Sequence, residues 1–348
     1  MPGEFFLYSP RPVAPELWQQ ENIMLRSANL PVRAARMLWS QTCLPHWAVK
    51  DHIEVFWGTA HRLPRFLPEK TAQVVTIHDL VWKHAGETMR PLSRMMEGIF
   101  MPAAIRQADR IVAISTSTAI DIEEEYPDAV DKIRVIYPGT TGLPAPLDFH
   151  SLSALGIRFP YILFVGTLEP RKNLQVLLQA YALLDIKTRN ETRLVIAGGK
   201  GWGGVEINAM IKDLCLADHV IPVGYVNETQ LATLYAHARF LAMPSLYEGF
   251  GLPLIEAMSF GIPVLTSNRS SLPEVAGDAG VLVDPFNIHS VSEGLSSLLK
   301  NHQHRNYLAK KAISHAKRFS WNNAARKMWA VFQEATEHQL KQQQKGEK

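Results

Sequence analysis

The second half of the chain repeats one rhythm: a short apolar run, a stretch with helical spacing, then another short apolar run. Tyr161-Ile-Leu-Phe-Val-Gly166 reads as a buried strand, followed by a helical pattern from about Asn173 to Leu184. Arg193–Ala197 and Val220–Gly224 read as strands on either side of a helix near Glu206–Cys215. Then come a helix at Glu228–Ala238, a strand at Arg239–Met243, a helix at Pro253–Phe260, a strand at Pro263–Thr266, a helix near Leu272–Ala276 and a strand at Gly280–Val283. Strands that are apolar on both faces and separated by helices build a parallel sheet. Parallel neighbours need a crossover connection, and the helix in that crossover covers a face of the sheet.

The first half alternates more loosely. Glu4–Leu7, Glu54–Trp57, Gln73–Ile77, Arg110–Ile114 and Lys132–Ile136 are candidate strands, with helices at Leu92–Gln107 and Ser117–Tyr126. Residues 10–68, rich in Pro, Arg and Trp, read as long loops and short helices on one sheet edge. Tyr137-Pro-Gly-Thr-Thr-Gly-Leu-Pro-Ala-Pro146 is dense in turn formers and is the linker candidate. A chain of 348 residues suits two domains. The expected fold is therefore α/β, with two Rossmann-like domains built on parallel sheets: residues 1–145 and 146–320, with a helix at about 321–340 packing back on the first. Lys341–Lys348 reads as a polar, frayed tail.

Composition narrows the partners. A net charge of +3 gives no basic stripe for nucleic acid. Two cysteines, Cys43 and Cys215, make no disulfide framework and no metal-ligand spacing, and read as reduced thiols of a cytoplasmic protein. No apolar run approaches the ~20 residues of a membrane span, and the first residues are not a signal peptide.

The chemistry concentrates around Glu248-Gly-Phe-Gly-Leu-Pro-Leu-Ile-Glu256. Pro253 suits the first turn of a helix and Gly261 its C-terminal stop. Glu248-Gly-Phe-Gly251 is then a loop between the carboxyl end of a strand and a helix N-terminus, where open α/β sheets bind ligands. Glycines let backbone N–H groups approach an anion, and the helix end adds partial positive charge, so a diphosphate fits there. Glu256 is a lone carboxylate on an otherwise apolar helix, so it needs a partner: a ribose diol, or a neighbouring backbone group in the bland reading. Arg171-Lys172 sits at the start of the helix from Asn173. Cations oppose the dipole there, which makes sense if an anionic ligand lies between; the plainer alternative is two solvated surface charges.

These residues resemble a known family, the retaining glycosyltransferases of family four with the GT-B fold. Glu248 and Glu256, with seven residues between them, match its paired-glutamate signature. Phe164-Val-Gly-Thr-Leu-Glu-Pro-Arg-Lys-Asn-Leu174 matches its donor-phosphate segment, and Val195-Ile-Ala-Gly-Gly-Lys-Gly201 and Val223-Gly-Tyr-Val226 match loops near the nucleotide. Thr266-Ser-Asn-Arg-Ser-Ser-Leu-Pro-Glu-Val275 follows the same pattern, and Val74-Val-Thr-Ile-His-Asp-Leu80 a moderate version of it in the first half. The resemblance implies that Glu256 holds the donor ribose, that Glu248 with Gly249, Phe250, Gly251 and Leu252 orients the transferred sugar, and that Arg171 and Lys172 stabilise the leaving diphosphate without a metal or other cofactor. It further places His78 opposite the sugar across the cleft, Gly166 and Thr167 beside the phosphates, and Gly199, Lys200, Tyr225 and Val226 around the base. Thr167 departs from the pattern, which commonly has an Arg there; Arg171 takes that role in the mannosyltransferase-like branch this chain resembles.

That branch resemblance (Tyr8-Ser-Pro-Arg-Pro, Phe56-Trp-Gly, His61-Arg-Leu-Pro64) implies a GDP-mannose or related GDP-sugar donor. It implies a growing glycan or polyprenyl-linked acceptor in bacterial lipopolysaccharide or O-antigen synthesis. The family opens with a strand, a Gly-rich turn and a helix. This chain begins at what looks like the second strand, so the first domain is expected to lack that opening. A non-catalytic nucleotide-sugar-binding or partner subunit is the alternative function. Met89–Met101 mixes cations with Met and Phe; it reads either as a peripheral contact with the inner membrane or as a packed core helix with two exposed arginines.

Overall fold

The computed structural model describes residues 3–140, 142–201, 203 and 206–346. The strands are β1 (Phe5–Ser9), β2 (Ile23–Ser27), β3 (Val55–Gly58), β4 (Ala72–Ile77), β5 (Arg110–Ala113), β6 (Ile133–Val135), β7 (Tyr161–Val165), β8 (Arg193–Ala197), β9 (Val220–Gly224), β10 (Phe240–Met243), β11 (Val264–Ser267) and β12 (Gly280–Val283). The second half forms a six-stranded sheet in the order β12-β11-β10-β7-β8-β9. The first half forms a four-stranded sheet, β3-β4-β5-β6, and a separate pair, β1-β2. Every ladder is parallel.

The alternation of apolar runs becomes two layers on each main sheet. One face of the six-stranded sheet sends Leu163, Val195 and Leu241 into a cluster with Leu254, Met258, Leu272 and Ala312 from covering helices. The other face sends Ile162, Phe164, Leu194 and Ile196 against Leu177, Leu178, Ile211, Leu295 and Leu298. Residues such as Ile162 and Leu163 face opposite ways because side chains alternate along a strand, so both must be apolar when both faces are covered.

The four-stranded sheet does the same with fewer elements. Val75, Ile77, Ile111 and Ala113 pack on Met101, Ile105, Ala119 and Ile122. Ala72, Val74 and Val112 pack on Ala324, Val331 and Ala335. The latter three belong to the helix Trp321–Gly346, which starts after the second-half helices yet covers the first-half sheet. Its crossing is tight: a β-carbon on Gly139, in the linker, would fall 2.2 Å from the backbone nitrogen of Trp321.

Several elements differ from expectation. Residues 10–68 contain β2 and an 18-residue helix, Arg33–Lys50, in place of loops and short helices. The helix carries Pro45 internally and no side-chain N-cap bond, so it lacks the usual start signal. It is held by Trp47 packed on Tyr8, with ring centroids 5.8 Å apart, and by Ala48 in the core. Beyond β12 two further helices, Ile288–Lys300 and His302–Ala316, continue the second half. The terminal helix runs through Lys341 to Gly346, where a frayed tail was expected. A charge placed in the contact between the terminal helix and the first-half sheet has no partner, so Val331→Asp lowers stability by on the order of 3 kcal/mol or more. Thermal unfolding of the variant against the parent checks this.

Candidate functional site

In the six-stranded sheet the chain runs β7, β8, β9 outward in one direction, then returns with β10 to the other side of β7. The carboxyl ends of β7 and β10 flank this switch point, where connecting loops diverge and leave a crevice. The loop after β7 carries Gly166, Thr167, Arg171 and Lys172. The loop after β10 carries Glu248, Gly249, Phe250 and Gly251. The loops after β8 and β9 bring Gly199, Lys200, Tyr225 and Val226 to the same end of the sheet. Close approach of β7 and β8 there requires glycine: a β-carbon on Gly198 would sit 1.9 Å from the Gly166 carbonyl oxygen.

The centre of the crevice is an ion triad. Glu248 is buried, with one carboxylate oxygen 2.6 Å from Lys172 Nζ and the other 2.5 Å from Arg171 Nη1. Arg171 also donates to the Tyr247 carbonyl at 2.8 Å. Arg171 and Lys172 form a 3₁₀ turn, Pro170–Lys172, ahead of the helix Leu174–Ala182, so they are not part of that helix. They are not solvated surface charges either: both side chains are largely buried and both pair with Glu248, which leaves the triad one net positive charge. Asn173 turns the chain between them and the helix with φ of 57°, fixed by its amide donating to the Pro244 and Pro285 carbonyls. Burial alone would raise the Glu248 pKa. The charges of Lys172 and Arg171, together with their hydrogen bonds, outweigh it and hold the carboxyl below its ordinary 4.5.

The glycine loop is pinned from behind. Ser270 Oγ accepts the Glu248 N–H, and Ser271 Oγ donates to the Glu248 and Phe250 carbonyls. Phe250 stands edge-on to Phe319, with centroids 5.5 Å apart, so its side chain belongs to the core and only its backbone faces the crevice. Gly251 has φ of 101° and leads into the helix Leu252–Ser259, with Leu252 exposed. Glu256, on that helix, accepts the Tyr235 hydroxyl at 2.8 Å through Oε2, and Oε1 takes no hydrogen bond from the described residues. Burial pushes its carboxyl above the ordinary value against that hydrogen bond. Tyr235 was not legible as part of the site: its helix is ordinary, and only the fold aims its hydroxyl at Glu256.

The first half closes against this loop. His78 directly follows β4, and a β-carbon on Gly249 would fall 2.0 Å from the His78 carbonyl oxygen. Thr118 Oγ1 reaches both the His78 and Gly249 carbonyls, at 3.3 and 3.4 Å. Tyr247 donates to Asp121 and accepts the Leu80 N–H. Glu274 accepts the N–H groups of Thr116 and Ser117, at 3.0 and 2.9 Å, and the Tyr137 hydroxyl at 2.8 Å. One half thus caps a helix N-terminus of the other, satisfying donors no intrahelical bond can use. Thr167 and Lys200 are exposed, Tyr225 is 85% exposed, and the three pack little against the rest. Among the described residues no group of three His, Cys, Asp or Glu is placed to hold a metal.

The folded-state pKa of Glu248 lies below 4.5, so its ion pairs stabilise the fold above that pH, and the contribution is lost as pH falls through the depressed folded value. Glu248→Gln removes this acid-labile part. Thermal midpoints measured from pH 7 down to about 3 should fall more steeply for the parent than for the variant.

The geometry can be set beside known proteins. Two family models match: "Glycosyltransferase Family 4" over residues 14–141 and "Glycosyl transferases group 1" over residues 154–315. The chain is 42% identical over 319 residues to O-antigen chain mannosyltransferase B of Escherichia coli, covering 86% of this chain and 79% of that one. It is 30% identical over 236 residues to the serotype-specific mannosyltransferase WbdA of Escherichia coli, covering 64% of this chain and 28% of that longer protein. It superposes on sucrose-phosphate synthase from Thermosynechococcus elongatus with a TM-score of 0.74 at 20% identity, covering 95% of this chain and 88% of the other. HepE from Anabaena, solved with UDP and glucose, gives 0.69 at 17% identity, covering 94% and 91%. At these identities the solved structures speak to the fold, which is GT-B. The chain belongs to the family-four glycosyltransferases, on the branch that holds the O-antigen chain mannosyltransferases.

Proposed function

We propose that this glycosyltransferase moves mannose, with retention of anomeric configuration and without a metal, from GDP-mannose or a related GDP-sugar to a growing glycan or polyprenyl-linked acceptor at the cytoplasmic face of the membrane. The observation that carries the reading is the buried Arg171–Lys172–Glu248 triad at the switch point, with His78 pressed against Gly249 across the crevice. Two cations held by one carboxylate are a preorganised anion site. The donor diphosphate displaces Glu248 from them, and Glu248 turns to the hydroxyls of the transferred sugar. As the anomeric carbon–phosphate oxygen bond breaks, negative charge grows on the departing diphosphate, and Arg171 and Lys172 stabilise it. The acceptor oxygen bonds to the anomeric carbon, and its proton passes to the leaving phosphate. His78 accepts a sugar hydroxyl from the opposite wall.

Glu256 Oε1 takes the ribose diol, while Tyr235 holds Oε2. Gly166 and Thr167 line the phosphates, and Gly199, Lys200, Tyr225 and Val226 surround the base; HepE, of like fold, was solved with UDP. Glu256→Ala removes charge-assisted hydrogen bonds of about 1.5–3 kcal/mol each, so the calorimetric Kd for GDP should rise at least tenfold. An unchanged Kd sinks the ribose assignment. A panel of GDP-, UDP- and ADP-sugars tests the donor, and binding without turnover turns the reading to a non-catalytic partner subunit.

We further propose peripheral contact with an anionic membrane through the helix Pro91–Gln107. The alternative expectation, a packed core helix with two exposed arginines, fits its C-terminal half, and Arg90 and Arg94 are both exposed. Met101, Ala104 and Ile105 are buried, but Leu92, Met95 and Ile99 are 61, 55 and 53% exposed and share one side of the helix, while Arg90 and Arg94 are exposed near its N-terminal end. No helix among the described residues is long and apolar enough to cross a membrane. The parent should float with vesicles containing anionic phospholipid and the Arg90→Glu/Arg94→Glu variant should not; equal flotation removes the contact.

A further inference from the structure

The first half carries a line of polar side chains that ends on the backbone of His78. Glu97, on the helix Pro91–Gln107, places Oε2 3.2 Å from His61 Nδ1 and Oε1 2.7 Å from Arg62 Nη2. The other ring nitrogen of His61, Nε2, lies 3.0 Å from the backbone nitrogen of His78. A peptide N–H only donates, so His61 Nε2 must present a lone pair. The proton of the neutral ring then sits on Nδ1, where Glu97 accepts it. The carboxylate thereby selects the one tautomer that can hold His78. Burial opposes ionisation of Glu97, but the hydrogen bonds from His61 and Arg62 and the charge of Arg62 overcome it and lower its pKa.

The loop that supplies His61 is built for this task. His61 sits in the left-handed region, with φ of 58°, and its own N–H donates to the Thr76 carbonyl at 2.9 Å. The turn before it is tight enough that a β-carbon on Gly58 would lie 2.2 Å from the Arg62 carbonyl oxygen. The same loop offers the Thr59 carbonyl, which accepts His78 Nε2–H at 2.8 Å. His78 is thus gripped at its backbone nitrogen by His61 and at its ring by Thr59, while its carbonyl abuts Gly249. His78 Nδ1 is left as a lone-pair acceptor with no partner among the described residues, and burial lowers the ring pKa, which keeps it neutral.

We propose that Glu97 and His61 are positioning residues of the transferase. Through the Glu97–His61–His78 relay they fix the backbone and ring of His78, so that its Nδ1 stands as an acceptor toward the transferred sugar. The inference rests on the proposed role of His78 in the transfer. A merely structural staple between the loop and the helix would act on stability and not through His78.

A double-mutant cycle separates the two, because groups acting through one another give non-additive losses. Steady-state turnover is measured with GDP-mannose and a mannose oligosaccharide for the parent, His61→Ala, His78→Ala and the double variant, with GDP affinity by calorimetry. His61→Ala should lower kcat about tenfold to a hundredfold, the scale of a small misplacement at a reacting centre. GDP affinity should stay within about twofold, since the relay lies outside the donor half, and the double variant should be no slower than His78→Ala. His61→Gln, which offers an amide oxygen in place of Nε2, should recover much of the lost kcat, and Glu97→Gln should lose less than Glu97→Ala. Should His61→Ala fail to fold, Glu97→Ala takes its place in the same cycle with His78→Ala. Additive losses, or parental kcat in His61→Ala beside a slow His78→Ala, overturn the relay alone. Parental kcat in His78→Ala overturns the role of His78, and the relay with it.

Discussion

The structure turns on one buried carboxylate. Glu248 lies between Arg171 and Lys172 at the end of the sheet, and removing charges from water is costly unless each finds a partner. Here one carboxylate pairs with two cations, leaving one net positive charge, within two loops whose strands, β7 and β10, are neighbours in space but far apart in the chain. The triad therefore depends on the crossover order of the sheet. In the proposed function the same requirement prepares the site for a donor: the cations are already gathered, and only Glu248 has to give way to an anion.

The second constraint is the contact between halves. Gly249 meets the His78 carbonyl with no room for a β-carbon, and Tyr247 and Glu274 bind the first half on either side of it. These contacts combine backbone N–H groups and a glycine with a small apolar patch, Tyr247 against Val81 and Ala85. Interfaces of that kind can separate and re-form, as a transferase that must admit a donor and exclude water requires. The terminal helix ties the halves differently, through an apolar contact of Val331 and Ala335 on the first-half sheet.

Residue by residue, local pattern and tertiary placement divide cleanly. The strands Arg193–Ala197, Val220–Gly224 and Gly280–Val283 match their expected bounds because each is a short apolar run. Only the first is buried along its length; the other two are half-exposed edge strands. The helix Leu252–Ser259 was legible from Pro253 and Gly261, which act locally. The helix Arg33–Lys50 was not, since it starts without a side-chain cap, carries Pro45, and exposes Leu38 and Val49. The helix Ile288–Lys300 shows its signal locally, with Asn287 as cap and Val291, Leu295 and Leu298 buried at helical spacing.

In the candidate site, the sequence alone determined which residue types gather: glycines before a helix, a lone carboxylate on an apolar helix, and a basic pair after a strand. Those follow from short-range rules of turns, caps and periodicity. Only the tertiary structure decided their partners. Glu248 pairs with Arg171 and Lys172, Glu256 with Tyr235, His78 with His61, and His61 with Glu97, at sequence separations that no local pattern spans. The physical reason is that a buried charge or lone pair is satisfied by whatever the packed sheet brings within about 3 Å, and that neighbour is set by strand order and crossover, not by distance along the chain.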